Sequence, residues 1–129
     1  MNELRTLGLG VPGAMRAELN SLVVTGKKTA TAGLRAEYES EGEELERVGE
    51  HLVLVDDDDA PVGLVEVTAV SVVPFGQVRW EFADAEGEGF TSIEHWREAH
   101  AQFWAGQGVD VDDDTEVVCI RFVLTSSEV

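Results

Sequence analysis

The chain has 129 residues, 43% of them hydrophobic and 27% charged, a globular composition at a length that suits one domain with a core of ordinary size. Acids outnumber bases 26 to 9, and the net charge of −17 excludes bulk duplex DNA as a ligand held by general electrostatics, because such binding is mostly phosphate neutralisation. One cysteine, Cys119, excludes an internal disulfide and a cysteine-rich zinc site, which suits a reducing compartment.

The opening residues, "MNELRTLGLGVPG", carry an acid and glycines where a secretory leader has a basic start and an apolar run. No stretch approaches the roughly 18–20 apolar residues of a membrane span. The expectation is a single domain over residues 1–129, cytoplasmic and without a membrane partner.

Pro12 suits a first helical position, and Met15, Leu19, Leu22 and Val23 recur on one face, so a helix is predicted from about Pro12 to Val24. Gly26 ends it. "AGLRAEYESEGEEL" reads either as a second short helix or as a structured loop. Gly49 opens a strand from His51 to Val55, and "DDDDAP" is a turn by composition.

Val62 to Val73 is one long strand. Its polar residues sit at even positions (Glu66, Thr68) and then at an odd one (Ser71), which implies a bulge near Ala69. At about 3.3 Å per residue it would run roughly 40 Å, longer than a small flat sheet needs, so it should curl toward a barrel.

"FGQVRWEFADAEGEG" reads as a turn and a short helix ending at Gly87 or Gly89. "FTSIEHWREAHAQFWAGQG" is the clearest helix: Thr91 and Glu94 match a capping box, Ile93, Trp96, His100, Phe103 and Trp104 form a stripe, and Gly106 stops it. The last strand is Glu116 to Leu124, with Val118, Ile120, Phe122 and Leu124 on one face and Cys119 and Arg121 on the other. The fold class is α+β, a small curled mixed barrel with helices packed against it.

Most clusters that look chemical have plainer explanations. Asp110, Asp112 and Asp114 have calcium-loop spacing, but Thr115 and Arg121 stand where the loop needs glycine and glutamate. His95 and His100 are five apart and leave their helix on different sides, unlike a zinc pair. Cys119 reads as a small buried hydrophobe. "GLGVPG" lacks the lysine and the preceding strand of a phosphate loop. Neither a metal site nor a cofactor is implied.

"TGKKTATAGL", Thr25 to Leu34, is different. It holds the only two lysines of the chain, adjacent, beside three hydroxyls; the other seven bases are arginines. Lys27 suits a helix exit through the helix dipole. Lys28 leads into a threonine-rich extended segment, where a crowded, partly buried amine can serve as a general base or stabilise developing negative charge.

"TGKKTATAGL", "VGEHLVLVD", "PVGLVEVTAVSVVPFGQV", "EFADAEGEGFTSIEHWREAH" and "VVCIRF" appear in the order found in the ASCH (activating signal cointegrator homology) family, which the chain resembles from about Leu19 to Val123. The resemblance implies a PUA-like fold, a curled β-barrel with helices over it and a cleft associated with RNA. Members that hydrolyse N(4)-acetylcytidine carry a G-[KR]-K-T-x-T pattern, which lies over Gly26 to Thr31, and a distant glutamate that falls on Glu86. In the implied role Thr31 attacks an acyl carbonyl, Lys28 takes its proton or holds it polarised, and Glu86 orients the lysine and relays the proton. Those members have an arginine where this chain has Gly33; the nearest here is Arg35. Other members resemble a ribonuclease, in which Lys28 and Ser92 would act on a phosphodiester.

The implied ligand is a short single-stranded RNA or a nucleoside, with Lys27, Arg35, Ser92, Trp96, His100 and Arg121 as candidate binding residues. Two other readings stand beside hydrolysis: a binding module without chemistry, and an acidic interaction domain that meets a basic partner.

Overall fold

The computed structural model describes residues 4–127. In chain order its elements are β1 (Arg5–Leu7), α1 (Ala14–Val24), β2 (Ala30–Leu34), α2 (Arg35–Ser40), β3 (His51–Val55), β4 (Pro61–Pro74), a single 3-10 turn (Phe75–Gln77), α3 (Trp80–Ala85), α4 (Ile93–Gly106) and β5 (Glu116–Ser126). The five strands make one mixed sheet, order β1-β3-β4-β5-β2, curled into a half-barrel. Only β1 and β3 run parallel; every other pair is antiparallel. Among the described residues no helix is long and apolar enough to cross a membrane.

The long strand is the axis of the sheet. β4 pairs with β3 at its start and with β5 along nearly its whole length. Its register against β5 shifts between Val67 and Ala69, where the change of polar face placed a bulge, and shifts again between Leu64 and Val65. A bulge increases local twist, and two of them curl the sheet. β5 continues past Leu124 to Ser126 because the first residues of β4 still offer partners there.

Strand alternation divides the interior into two cores. Val118, Ile120 and Phe122 join Leu52, Leu54, Val65 and Val67 beneath Leu19 and Val23 of α1. Val117 and Cys119 point the other way, into a cluster with Phe82, Trp96 and Trp104 from α3 and α4. The two sides of β5 therefore carry the sheet's two helical layers.

Two helix starts differ from the sequence expectation, at α1 and α4, while the segment after β2 takes the short helix that was one of its two readings. Gly13, not Pro12, precedes α1, at φ 106° that glycine takes without strain. The segment after β2 resolves into a six-residue helix, α2, followed by an irregular loop. At α4 the cap is Ser92, whose Oγ accepts the His95 N–H at 3.1 Å, instead of Thr91; the Thr91 N–H donates to His95 Nδ1 at 3.2 Å. His95 thus supplies the reciprocal contact expected of Glu94. β1 carries no readable pattern because three residues are too few for an alternation.

Candidate functional site

Two backbone turns build the site. At the end of α1 the Gly26 N–H donates to the Val23 carbonyl and the Lys27 N–H to Leu22, with Gly26 at φ 82°. This is the Schellman arrangement, which satisfies the last carbonyls and reverses the chain. Lys28 N–H also donates to Leu22 O, at 3.0 Å, so the backbone of both lysines is fixed by the helix it leaves.

The end of α3 meets this turn directly. Thr29 donates from its N–H (2.8 Å) and its hydroxyl (3.2 Å) to the Ala85 carbonyl. Two residues on, Gly87 turns at φ 66°, and its α-carbon lies so close to the Lys27 carbonyl that no side chain would fit. Glu86 and Glu88 flank that glycine and are carried against Lys28.

Lys28 and Glu86 are 2% and 1% exposed, both inside the protein. The Lys28 ammonium lies 2.6 Å from Glu88 Oε2 and 3.7 Å from Glu86 Oε2. Glu86 Oε1 accepts the Trp96 indole N–H and lies 3.2 Å from His100 Nε2. His100 Nδ1 in turn meets the Trp96 carbonyl at 2.9 Å, and the two rings stack with centroids 4.1 Å apart. Residues i and i+4 of one helix thus grip one carboxylate. Burial pushes the Glu86 carboxyl up, but the His100 hydrogen bond, the Lys28 charge and the indole outweigh it and hold it below the ordinary carboxylate value.

These groups form one wall of a cavity of about 590 Å³, also lined by Thr31, Phe90, Phe103 and α1 residues. That volume lies within the range of small-molecule sites. Thr31 reaches it from β2, whose small side chains leave the room. Lys28, Thr31, Glu86 and His100 are therefore brought together.

The remaining candidates lie elsewhere. Lys27 is exposed and does not line the cavity. Arg35 faces Glu116 at 3.4 Å and Glu39 at 3.7 Å. Ser92 spends its hydroxyl on the α4 cap. Trp96 is fully buried and stacked on His100, so it supports Glu86 and offers no open face to a base. Arg121 lines a smaller cavity of about 200 Å³ with Arg79 and Phe82. The sequence reading missed Glu88 and Phe90, although "EGEG" displayed the second carboxylate two residues from the first. Cys119 is buried, and desolvation with the Glu86 charge pushes its thiol up to about 12. Among the described residues no cluster of His, Cys, Asp and Glu has the makings of a metal site.

The curled sheet, its two helical layers and this cleft define an ASCH/PUA-like α+β fold. The chain belongs to the ASCH domain family, whose model matches residues 8–126. It is similar to a protein of Enterococcus faecalis V583 of known crystal structure (28% identity, TM-score 0.85, covering 98% of this chain and 78% of that one). It is also similar to an ASCH domain from Lactobacillus crispatus JV V101 (27% identity, TM-score 0.83, 96% of this chain and 80% of that one). A mutant ASCH protein from Zymomonas mobilis shares the fold at 12% identity and TM-score 0.55, over 83% of this chain and 63% of that one. No curated protein matches the chain.

Proposed function

We propose that the protein is a hydrolase acting on RNA or an RNA-derived nucleoside, ribonuclease-like or N(4)-acetylcytidine amidohydrolase-like, through Lys28, Thr31 and Glu86. One observation carries this reading: a lysine and a glutamate, each almost wholly buried, face one another in the wall of a cavity that Thr31 also lines. Burying such a pair costs several kcal/mol in desolvation, of order, and often adds no stability over apolar residues. Its presence beside a cavity makes sense where the charges meet a ligand.

Of the two roles the family resemblance offers Lys28, the geometry favours the electrostatic one. As the cation paired with Glu86 and Glu88, Lys28 polarises a carbonyl or phosphoryl oxygen and stabilises the negative charge that develops there. Thr31 is the nucleophile. Glu86, gripped by Trp96 and His100, fixes the lysine in place. The proton leaving Thr31 passes by a carboxylate of the cleft to the departing amine or alcohol as its bond to the acyl or phosphoryl group breaks. Water then frees that group from Thr31.

A binding module without chemistry is favoured by one feature. Lys28 already has its carboxylate partners, so the cleft is electrostatically complete without a reaction. The test compares wild type with Lys28→Met on N(4)-acetylcytidine, related acylated nucleosides and a short single-stranded RNA. Turnover that the variant loses by about a hundredfold or more, the size of one lost charge-stabilising donor, supports hydrolysis. Saturable binding without turnover supports the module.

A further inference from the structure

Glu88 stands outside the proposed triad yet makes the shorter contact to Lys28, 2.6 Å against 3.7 Å for Glu86. The two carboxylates are held very differently. Glu86 is 1% exposed and anchored by Trp96 and His100. The Glu88 side chain is 19% exposed, and among the described residues its carboxylate makes no polar contact except that to Lys28. The next residue, Gly89 (φ 88°), faces open space, with nothing within 4 Å of where a Cβ would lie. The Glu88 side chain thus lies nearer solvent and is less tethered than Lys28 or Glu86, each almost wholly buried.

Charge balance says what should replace it. The two ring nitrogens of His100 face the Trp96 carbonyl and the Glu86 carboxylate. Glu86 is thereby held by α4, and Glu88 is the carboxylate nearer the Lys28 ammonium, carrying one negative charge against it. Turning Glu88 out takes from the Lys28 ammonium its nearer carboxylate, 2.6 Å away in a buried wall, which is costly unless one negative charge arrives in its place.

We propose that the Glu88 carboxylate is a built-in stand-in for the ligand: a monoanionic oxo group, carboxylate or phosphodiester, takes its place on Lys28 and turns it outward. A neutral amide oxygen would replace a full charge poorly, and a dianion would overshoot. Glu88 is thus a specificity-determining residue that an anion must displace to reach Lys28. The inference rests on the cleft of the proposed function but not on turnover.

Dimethyl phosphate, acetate and neutral N,N-dimethylacetamide are titrated by calorimetry into wild type, Glu88→Gln, Glu88→Ala and Lys28→Met, each first checked for a native melting transition. Without the competing carboxylate, at least one anion should bind both Glu88 variants about tenfold or more tightly than wild type. Affinity for dimethylacetamide should change less than about twofold, and Lys28→Met should bind neither anion. Tightening for dimethyl phosphate alone identifies a phosphodiester ligand; tightening for acetate alone identifies a carboxylate. Equal or weaker anion binding by both Glu88 variants overturns the proposal, as does an equal gain for the neutral probe. Tightening without turnover of any substrate leaves this inference standing and removes the hydrolase; turnover without tightening does the reverse.

Discussion

Glu86 and His100 meet through one carboxylate oxygen, Oε1, which lies 3.2 Å from the imidazole Nε2 while it also accepts the Trp96 indole. Its second oxygen faces Lys28. Glu86→Gln removes the charge but keeps the shape, leaving the buried Lys28 with less compensation. Deleting one partner of a buried pair costs about 3–5 kcal/mol, and the remaining carboxylate, Glu88, should keep the loss near the lower figure. Trp96→Phe removes one hydrogen bond to a charged group and should cost about 2 kcal/mol. Urea denaturation of both variants measures this; a loss under about 1 kcal/mol for Glu86→Gln would mean that its charge does not hold the cleft together.

Acid should unfold the protein partly through the same residue. A carboxyl whose folded value is depressed stabilises the fold above its unfolded value, about 4.3, and that stability is lost as pH falls through the folded value. Glu86 acts in this direction. So does Glu50, where the hydrogen bond to Arg5 outweighs burial and holds the carboxyl low. Melting temperature followed from pH 5 to pH 2 should fall more steeply in wild type than in Glu86→Gln. Parallel curves would contradict the assignment.

Gly87→Ala should be among the most damaging single-methyl changes in the chain. Its Cβ would overlap the Lys27 carbonyl and lie 2.9 Å from the Lys28 nitrogen, all of it backbone that cannot swing aside. The positive φ alone costs an alanine about 1–2 kcal/mol, and the overlap adds to it. Gly89→Ala, with open space around it, should cost only the backbone share. Comparing the two by thermal melts separates conformational strain from collision, and equal losses would refute the close approach.

Cys119 should be inert in the native state. Its thiol is pushed from 9.0 up to about 12 by burial and by Glu86, so at pH 8 almost none is thiolate. Reaction with a disulfide reagent should run roughly a thousandfold more slowly than in denaturant, since the thiolate is the reactive form. The sign at high pH also follows. Stability from this group is complete below the unfolded value and is lost as pH rises toward the folded one, so alkali above about pH 9 should weaken the fold.

Much of the architecture was legible because it is periodic. The bulge of β4 showed as a change in which positions were polar, and the two faces of β5 showed as alternation; both are local consequences of a period of two. The chemistry was legible only in part. Lys28 and Thr31 stand in one motif, and Glu86 came from family resemblance. Glu88 was hidden because its partner is sixty residues away, joined through the Thr29–Ala85 contact, and no local period encodes such a meeting. Ser92 and Arg35 were read as ligand-facing from the family resemblance and Trp96 from its residue type; a cap, an ion pair and an indole donor claim them.

The strand order has a consequence for how copies of this molecule meet. The two rims of the sheet are β1 and β2, three and five residues long, while the long strands β4 and β5 lie inside. Arg5 within one rim is tied to Glu50, and the other runs straight into α2. Short, charge-tethered rims offer little template for another chain to add a strand, and the net −17 repels an approaching copy at low salt. Edgewise fibre growth is thereby resisted by the layout of the sheet itself.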